Sequence, residues 1–542
     1  MDKQLNQQGT SGDETSVQSP PSDSPMNYDI ASKKYFFGLR GKAVRRQISF
    51  AGALGFLLFG YDQGVLGGLN AAEEFLHQFN NPSSSLLGTI NSIYEWDWML
   101  LRCSERPLLC EAMGRKKYLY VGALLMFIGA ALQASAFGVP QMIVGRLIPK
   151  WLEQWVQHRH DAALGVGAGP PSSRGRHVAV QGNLIAFGIV LAYYFNIELS
   201  YTSGALQWRT PIAAQGILIL AHFFWVYYLP ESPRWLTKHN HHGEAIDVIK
   251  QLVDNEVAHD DPSVIQQKRE IDQAIRLEET DSPFKWTEMF KNGPLKIRRR
   301  FLLVIGSHQV CKLFSSCLAS TFWQVYYMPH TVTTDIGYDY RTALHIAAGC
   351  ADAYWIFSFI GVLFLDRMGR LPPLIWGSIV SALCFLVNDT TPVRAKTSLA
   401  FFFLYEAVFA IGWLPVPWLY GAEFMPLRYR THSAALATAS DWIFNYLIVQ
   451  ITAISISNIN WKTYMIFFVL NLVFCIIVWL FYPETSGRTL EEMDQIYLDD
   501  NDRLIVVGKK GQLLPGFRSR MDHTDDFGAE EADGKPTIKQ RE

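Results

Sequence analysis

The sequence predicts an all-α membrane protein with twelve transmembrane helices in two six-helix bundles. Three observations carry this reading. Of 542 residues, 49% are hydrophobic, and they are bunched into long runs. Many of these runs approach the roughly 20 residues that cross a bilayer as a helix. Charged residues make up 18% of the chain, below the roughly 25% of soluble domains. The basic residues gather in short turns between the runs, which the positive-inside rule assigns to the cytoplasm.

Met1 to Asn27 is rich in Ser, Gln, Pro and Asp and reads as a disordered tail. It belongs to a cytoplasmic N-terminal segment, 1–46, whose end is basic: Lys33, Lys34, Arg40, Lys42, Arg45 and Arg46. Span one follows at 48–69. It is apolar and small up to Asp62 and free of charge from there to Asn70. A carboxylate near a helix centre costs roughly 2.5–3.5 kcal/mol on insertion scales. Such a group faces a bundle interior or wet cavity, where it binds a cation or relays a proton. A structural Asp paired with one Arg is the other reading. Gly60, Gly64, Gly67 and Gly68 let neighbouring helices approach closely.

Span two starts at Leu86 to Tyr94 and then meets Glu95, Asp97, Arg102, Glu105 and Arg106. Gly114-Arg115-Lys116-Lys117 makes a basic turn before span three, Tyr118 to Phe137. Span four opens at Gln141, carries Gly145-Arg146, and breaks into polar sequence at Pro149. Spans five and six are expected at about 178–198 and 210–229, completing a first bundle over 47–229. A cytoplasmic linker with short charged helices then covers 230–300. The second bundle, 301–482, holds spans at about 301–327, 342–365, 373–388, 397–420, 432–456 and 461–482. The tail 483–542 is charged and also cytoplasmic.

An internal repeat supports two similar halves. Gly114-Arg115 and Gly369-Arg370 are offset by 255 residues, Arg174 and Arg430 by 256, and Pro230-Glu231 and Pro483-Glu484 by 253. Parallel halves with a substrate site between them are a known transporter plan.

Other function classes find no support. Seven scattered cysteines show no disulfide or zinc spacing. His239, His241 and His242 read as solvated surface, so no metal is expected. No cleavable signal peptide is visible. No Gly-rich phosphate loop points to ATP-driven transport. No cofactor, nucleic acid or obligate protein partner is implied, and the chain does not read as an enzyme.

Six motifs in order, GYDQGVLGG, GRKK, LPESPRWL, FLDRMGR, GWLPVPWLYGAEFMPLRYR and YPETSGRTLEEMD, resemble the sugar porter branch of the major facilitator superfamily, its fungal members above all. The resemblance covers about residues 45–498. It implies the major facilitator fold, alternating access and a sugar site at mid-membrane in a multi-pass plasma-membrane protein. Asp62 matches the family's span-one Asp and Arg146 its span-four Arg, the pair that couples sugar to protons. Trp418 matches the sugar-stacking tryptophan. Gln181, Asn183, Tyr354, Trp413, Asp441, Trp442 and Asn445 are the other expected sugar contacts, with Asp441 standing where the family often has Asn. Arg115, Glu231, Arg234, Asp366, Arg367, Arg370, Glu423, Arg430, Glu484 and Arg488 are the expected cytoplasmic gate. The function implied is proton-coupled uptake of a hexose or similar monosaccharide. A proton-independent facilitator and a non-transporting sugar sensor are alternatives.

Three stretches depart from the family: Trp96 to Leu109, Pro149 to Ser173 and His308 to Val325. They interrupt spans two, four and seven. They read as out-of-frame or mis-spliced segments, which would leave a non-functional product, or else as real divergence.

Overall fold

The computed structural model describes residues 39–83, 85–93, 114–148, 174–253, 261–280, 286–291, 293–310, 337–387, 392–459, 462–486, 493–494 and 497–498. Trp96 to Leu109 and Pro149 to Ser173 lie outside the described residues, as do the part of His308 to Val325 beyond Val310, residues 1–38 and all residues after 498.

Helices make up the described chain. The first group is α1 (Lys42–Leu69), α2 (Glu73–Gln78), α3 (85–93), α4 (Arg115–Ala134), α5 (Val139–Ile148), α6 (Arg174–Leu199) and α7 (Leu206–Tyr227). Four short elements follow, α8 (Pro233–Lys238), α9 (His242–Leu252), α10 (Pro262–Thr280) and α11 (Trp286–Met289). The second group is α12 (Ile297–Val310), α13 (Tyr340–Met368), α14 (Leu371–Val387), α15 (Pro392–Gly412), α16 (Val416–Glu423), α17 (Leu427–Ile459) and α18 (Lys462–Phe481).

Among the described residues six stretches are long and apolar enough to cross a membrane: α4, α6 from Val178, α7, α13, the α15–α16 stretch Thr397–Gly421, and α18. α5 and α14 are shorter apolar helices. α1 and α17 have 28 and 33 residues, long enough to span, but carry polar side chains that are buried, among them Asp62, Gln63, Asp441 and Asn445. A polar residue in a spanning helix belongs on an inward face, and these two helices obey that rule.

α1 and α6 pack backbone to backbone. Gly60, Gly64 and Gly68 recur every four residues, so they share one face of α1. A Cβ at Gly60 would fall 2.0 Å from the carbonyl oxygen of Ile185, and one at Gly188 would fall 2.2 Å from that of Leu57. Asn196 of α6 fills the space above Gly68 and donates to Val65 O at 2.9 Å. Close approach through small residues, reinforced by a polar side chain, is how helices associate where water supplies no hydrophobic drive.

α6 also runs antiparallel to α13, joining the two groups of helices. From one face to the other, Arg341 donates to Ser200 O at 3.4 Å and Tyr194 to Asp352 Oδ2 at 2.8 Å. Further along, Phe187 stacks on Trp355 with centroids 4.8 Å apart, and Asn183 donates to Ser358 Oγ at 2.6 Å. The Arg176 amide meets Asp366 Oδ2 at 3.1 Å. A second crossing joins α17 to α3, where Gln450 donates to Thr89 Oγ1 and Ser92 Oγ at 3.1 and 3.2 Å.

One sequence expectation changes. Phe401, Phe402 and Phe403 read as a lipid-facing stripe. Phe402 is instead buried, with its ring 6.4 Å from Tyr464, and Phe403 packs over Gly349. Three consecutive helix positions point about 100° apart, so they cannot share one environment.

The glycine contact gives a direct test. Gly60→Ala and Gly188→Ala should each prevent α1 from seating on α6 and abolish the monodisperse protein seen by fluorescence-detected size exclusion. Gly52→Ala, with nothing within 4 Å of the added carbon, should leave it unchanged.

Candidate functional site

Asp62 and Arg146 are 4% and 2% exposed, on α1 and α5. Arg146 donates to the carbonyl of Asn91 at 3.3 Å, which ties α5 to α3. The sequence has placed a carboxylate and a guanidinium where neither meets bulk water.

The expected sugar contacts divide into groups. Asp441, Trp442 and Asn445 on α17 are each 2% exposed, and Trp442 meets Phe59 of α1 edge to face at 6.1 Å. Phe59, immediately before Gly60, thus brings an aromatic wall from the first group of helices to one from the second. The pairing puts Trp442 within a few residues of Asp62 along α1. Trp418 is half-buried on α16. Tyr354 is buried on α13 and stacks on Phe409 of α15 at 6.1 Å. Gln181 is half-buried on α6.

Two expected contacts are otherwise engaged. The Asn183 amide is taken up across the α6–α13 seam, by Ser358 Oγ and by Trp355 O at 3.4 Å. Trp413 lies 5.2 Å from Phe474 of α18, and its indole edge fills the space over Gly377 of α14. Its ring thus packs on α14 and α18 of its own group. Phe59 was absent from the sequence reading, because a Phe in an apolar run has no mark that sets it apart.

On the face carrying the basic turns, the sequence repeat becomes a repeated structure. Gly114 has φ 87° and Gly369 φ 83°, in the left-handed region that glycine tolerates best. A Cβ at Gly114 would lie 2.8 Å from Glu231 Oε2, and one at Gly369 would lie 2.8 Å from Glu484 Oε2. Each carboxylate caps the helix that its glycine opens. Glu231 accepts from Lys116 N at 3.0 Å, and Glu484 accepts from Arg370 N at 2.9 Å and Leu371 N at 2.9 Å. Anions at helix N-termini are favoured by the unpaired amides and by the helix dipole.

The second copy holds a larger network. Arg370 is 1% exposed and lies 3.1 Å from Glu423 and 3.3 Å from Asp366. Its guanidinium also donates to Ser486 Oγ at 3.1 Å, and Thr485 donates to Glu423 at 2.5 Å. Burial pulls the guanidinium down, but Glu423, Asp366 and Glu484 outweigh that and hold it above its ordinary range. Arg300, 0% exposed, ties this face together by donating to Phe424 O, Met493 O and Asp494, with its guanidinium 4.1 Å over the Tyr497 ring. Of the remaining expected gate residues, Arg430 donates to Met425 O at 3.4 Å. Arg367 is exposed and Arg234 half-buried. Arg115 starts α4, and Arg488 lies outside the described residues. Carboxylates and arginines are linked within the second group of helices, in the first group Glu231 accepts from the Lys116 amide, and Asp366 also reaches the Arg176 amide of the other group.

Removing one partner from a buried ion pair leaves an uncompensated charge and costs roughly 3–5 kcal/mol. Glu423→Ala should therefore lower the thermal unfolding temperature of the detergent-purified protein well below that of Arg367→Ala, whose side chain is exposed.

The sequence matches the family described as "Sugar (and other) transporter" over residues 48–150 and 162–497. The gap in the match falls inside Pro149 to Ser173. The MFS-type transporter oryC of Aspergillus oryzae is 35% identical over 88% of this chain and 89% of its own length. The sugar transporter STL1 of Saccharomyces cerevisiae is 29% identical over 86% of this chain and 83% of its own. Among solved structures, the proton:xylose symporter XylE of E. coli bound to 6-bromo-6-deoxy-D-glucose superposes with a TM-score of 0.66 at 23% identity, over 84% of this chain and all of that one. The protein is thus a transporter rather than an enzyme, it has the twelve-helix major facilitator fold, and the chain belongs to the sugar (and other) transporter family.

Proposed function

We propose that the chain carries a monosaccharide across the plasma membrane by alternating access, in symport with a proton, with both termini in the cytoplasm. The observation that carries this reading is the burial of Asp62 on α1, the helix whose Phe59 meets Trp442 across the two groups of helices, with Arg146 likewise buried on α5. The family match and the names of relatives and of the XylE neighbour support it from outside the chain. In this reading 47–229 and 301–482 are the two moving bundles, 230–300 is the linker, and 1–46 and 483–542 are tails. Gln181, Tyr354, Trp418, Asp441, Trp442 and Asn445 face the sugar. Asn183 and Trp413 serve packing in the state described and reach sugar only if the helices move.

The coupling logic is competition. An ionised Asp62 is held by Arg146 and draws α1 towards α5. A protonated Asp62 releases that hold, so proton and sugar favour the same state, which is coupling in the thermodynamic sense. The gate reading of Arg115, Glu231, Arg234, Asp366, Arg367, Arg370, Glu423, Arg430, Glu484 and Arg488 rests on the paired turns and on the Arg176–Asp366 contact between groups. One observation favours a facilitator instead: Arg146 is also held by the Asn91 carbonyl, an anchor that does not depend on the charge of Asp62.

Uptake of a panel of radiolabelled sugars and polyols in a transport-deficient host tests the function. Asp62→Asn should abolish accumulation against a gradient yet retain exchange down one. Insensitivity of the unmutated protein to pH and to a protonophore would establish the facilitator. Trp418→Ala should weaken uptake roughly two- to tenfold, matching about 0.5–1.5 kcal/mol for an aromatic contact, with surface expression unchanged.

A further inference from the structure

Glu406 is an acid that neither the motifs nor the paired charges account for. It sits on α15, near the middle of the membrane-spanning stretch Thr397–Gly421, and is 1% exposed. Neither of its carboxylate oxygens has a hydrogen-bond partner. Its neighbours one turn away on α15 are all engaged in apolar packing. Phe403 lies over Gly349 of α13, and Phe402 lies against Tyr464 of α18. Phe409 stacks on Tyr354 of α13 at 6.1 Å and on Tyr405 at 6.3 Å.

The titratable group set against Glu406 is the fully buried Cys350 thiol of α13. Among the described residues no cation is paired with it. On α13, Asp352 is bonded to Tyr194 of α6. α14 contributes Cys384 and α18 Tyr464, and the arginines and lysines of these helices lie at their ends. An ionised carboxylate in such a place would be desolvated with nothing to repay the cost. A carboxylic acid needs only weak partners and fits an apolar seam. An ionisable residue within a membrane helix is a functional group by default.

We propose that Glu406 is a second proton-binding site, an acid sealed between α13 and α15 that keeps its proton while these helices are packed and gives it up only when they part. The site lies in the other group of helices from Asp62, and it stands whether or not Asp62 couples transport.

Infrared difference spectroscopy on the purified full-length protein reads this without any transport assay. At neutral pH the unmutated protein and Asp62→Asn should both show a protonated-carboxyl C=O band that Glu406→Gln loses. In D2O that band should shift slowly, and faster once a transported sugar is added. A band unaffected by Glu406→Gln would overturn the proposal, because the carboxyl would then be ionised. Complete deuteration on mixing would also overturn it, because the site would then be open to water. If the Gln variant is not recovered, Glu406→Met, apolar and of similar volume, should be recovered and lack the band. Failure of both variants to reach the membrane would contradict a neutral acid in an apolar seam.

Discussion

The hydrogen-bonded seam between α6 and α13 is the contact on which the rest of the architecture depends. Among the described residues it is the longest junction between the two groups of helices, and it is polar where a soluble protein would use leucines. Lipid tails are as apolar as any side chain, so two membrane helices gain little by merely being greasy. Tyr194–Asp352, Asn183–Ser358 and Arg176–Asp366 give specificity in register, each lost if the helices slide. These bonds are also individually weak, on the order of 1 kcal/mol in membrane proteins. A seam of that kind can open at one face while holding at the other. Alternating access asks for such behaviour.

Around the seam the two groups of helices are built to the same rule at their basic turns. Each turn needs a glycine because the backbone has positive φ and because a carboxylate occupies the space where a Cβ would be. Each carboxylate comes from a Pro-Glu pair at the end of the group's last long helix. Glu231 and Glu484 thereby fasten the end of one helix to the start of another. The second copy adds Arg370 and Glu423 in a buried network, and Arg300 draws in Met493, Asp494 and Tyr497. A turn so fixed is suited to move as a unit, as the proposed alternating access requires.

Much of this was legible in the sequence because membranes simplify the reading. Long apolar runs, basic turns and a repeat at nearly one offset led to the helices and to Gly114 matched with Gly369 and Glu231 with Glu484, while the seating of each carboxylate against its glycine appears only in the fold. The glycines of span one signalled close helix approach, and the fold shows which of them, Gly60, Gly64 and Gly68, make it. Rotational phase was not legible. Trp413 and Trp418 look alike on either side of Pro415, yet Trp413 packs on Phe474 and Gly377 while Trp418 remains half-buried. Asn183 reads as a sugar ligand, but its amide is consumed across the seam. Glu406 was passed over inside an apolar run, although a lone acid at that depth is the same kind of signal as Asp62. Its neighbours on α13 and α18 are distant in sequence, and only the folded chain brings Cys350 and Tyr464 to its level.

In the proposed mechanism, movement of sugar is tied to movement of a proton. The most direct measurement is the pH inside proteoliposomes carrying the purified protein, with no membrane potential and no initial pH gradient. A transported sugar added outside should acidify the lumen, and an untransported stereoisomer should not. Entry of labelled sugar with no change in lumenal pH would contradict the claim.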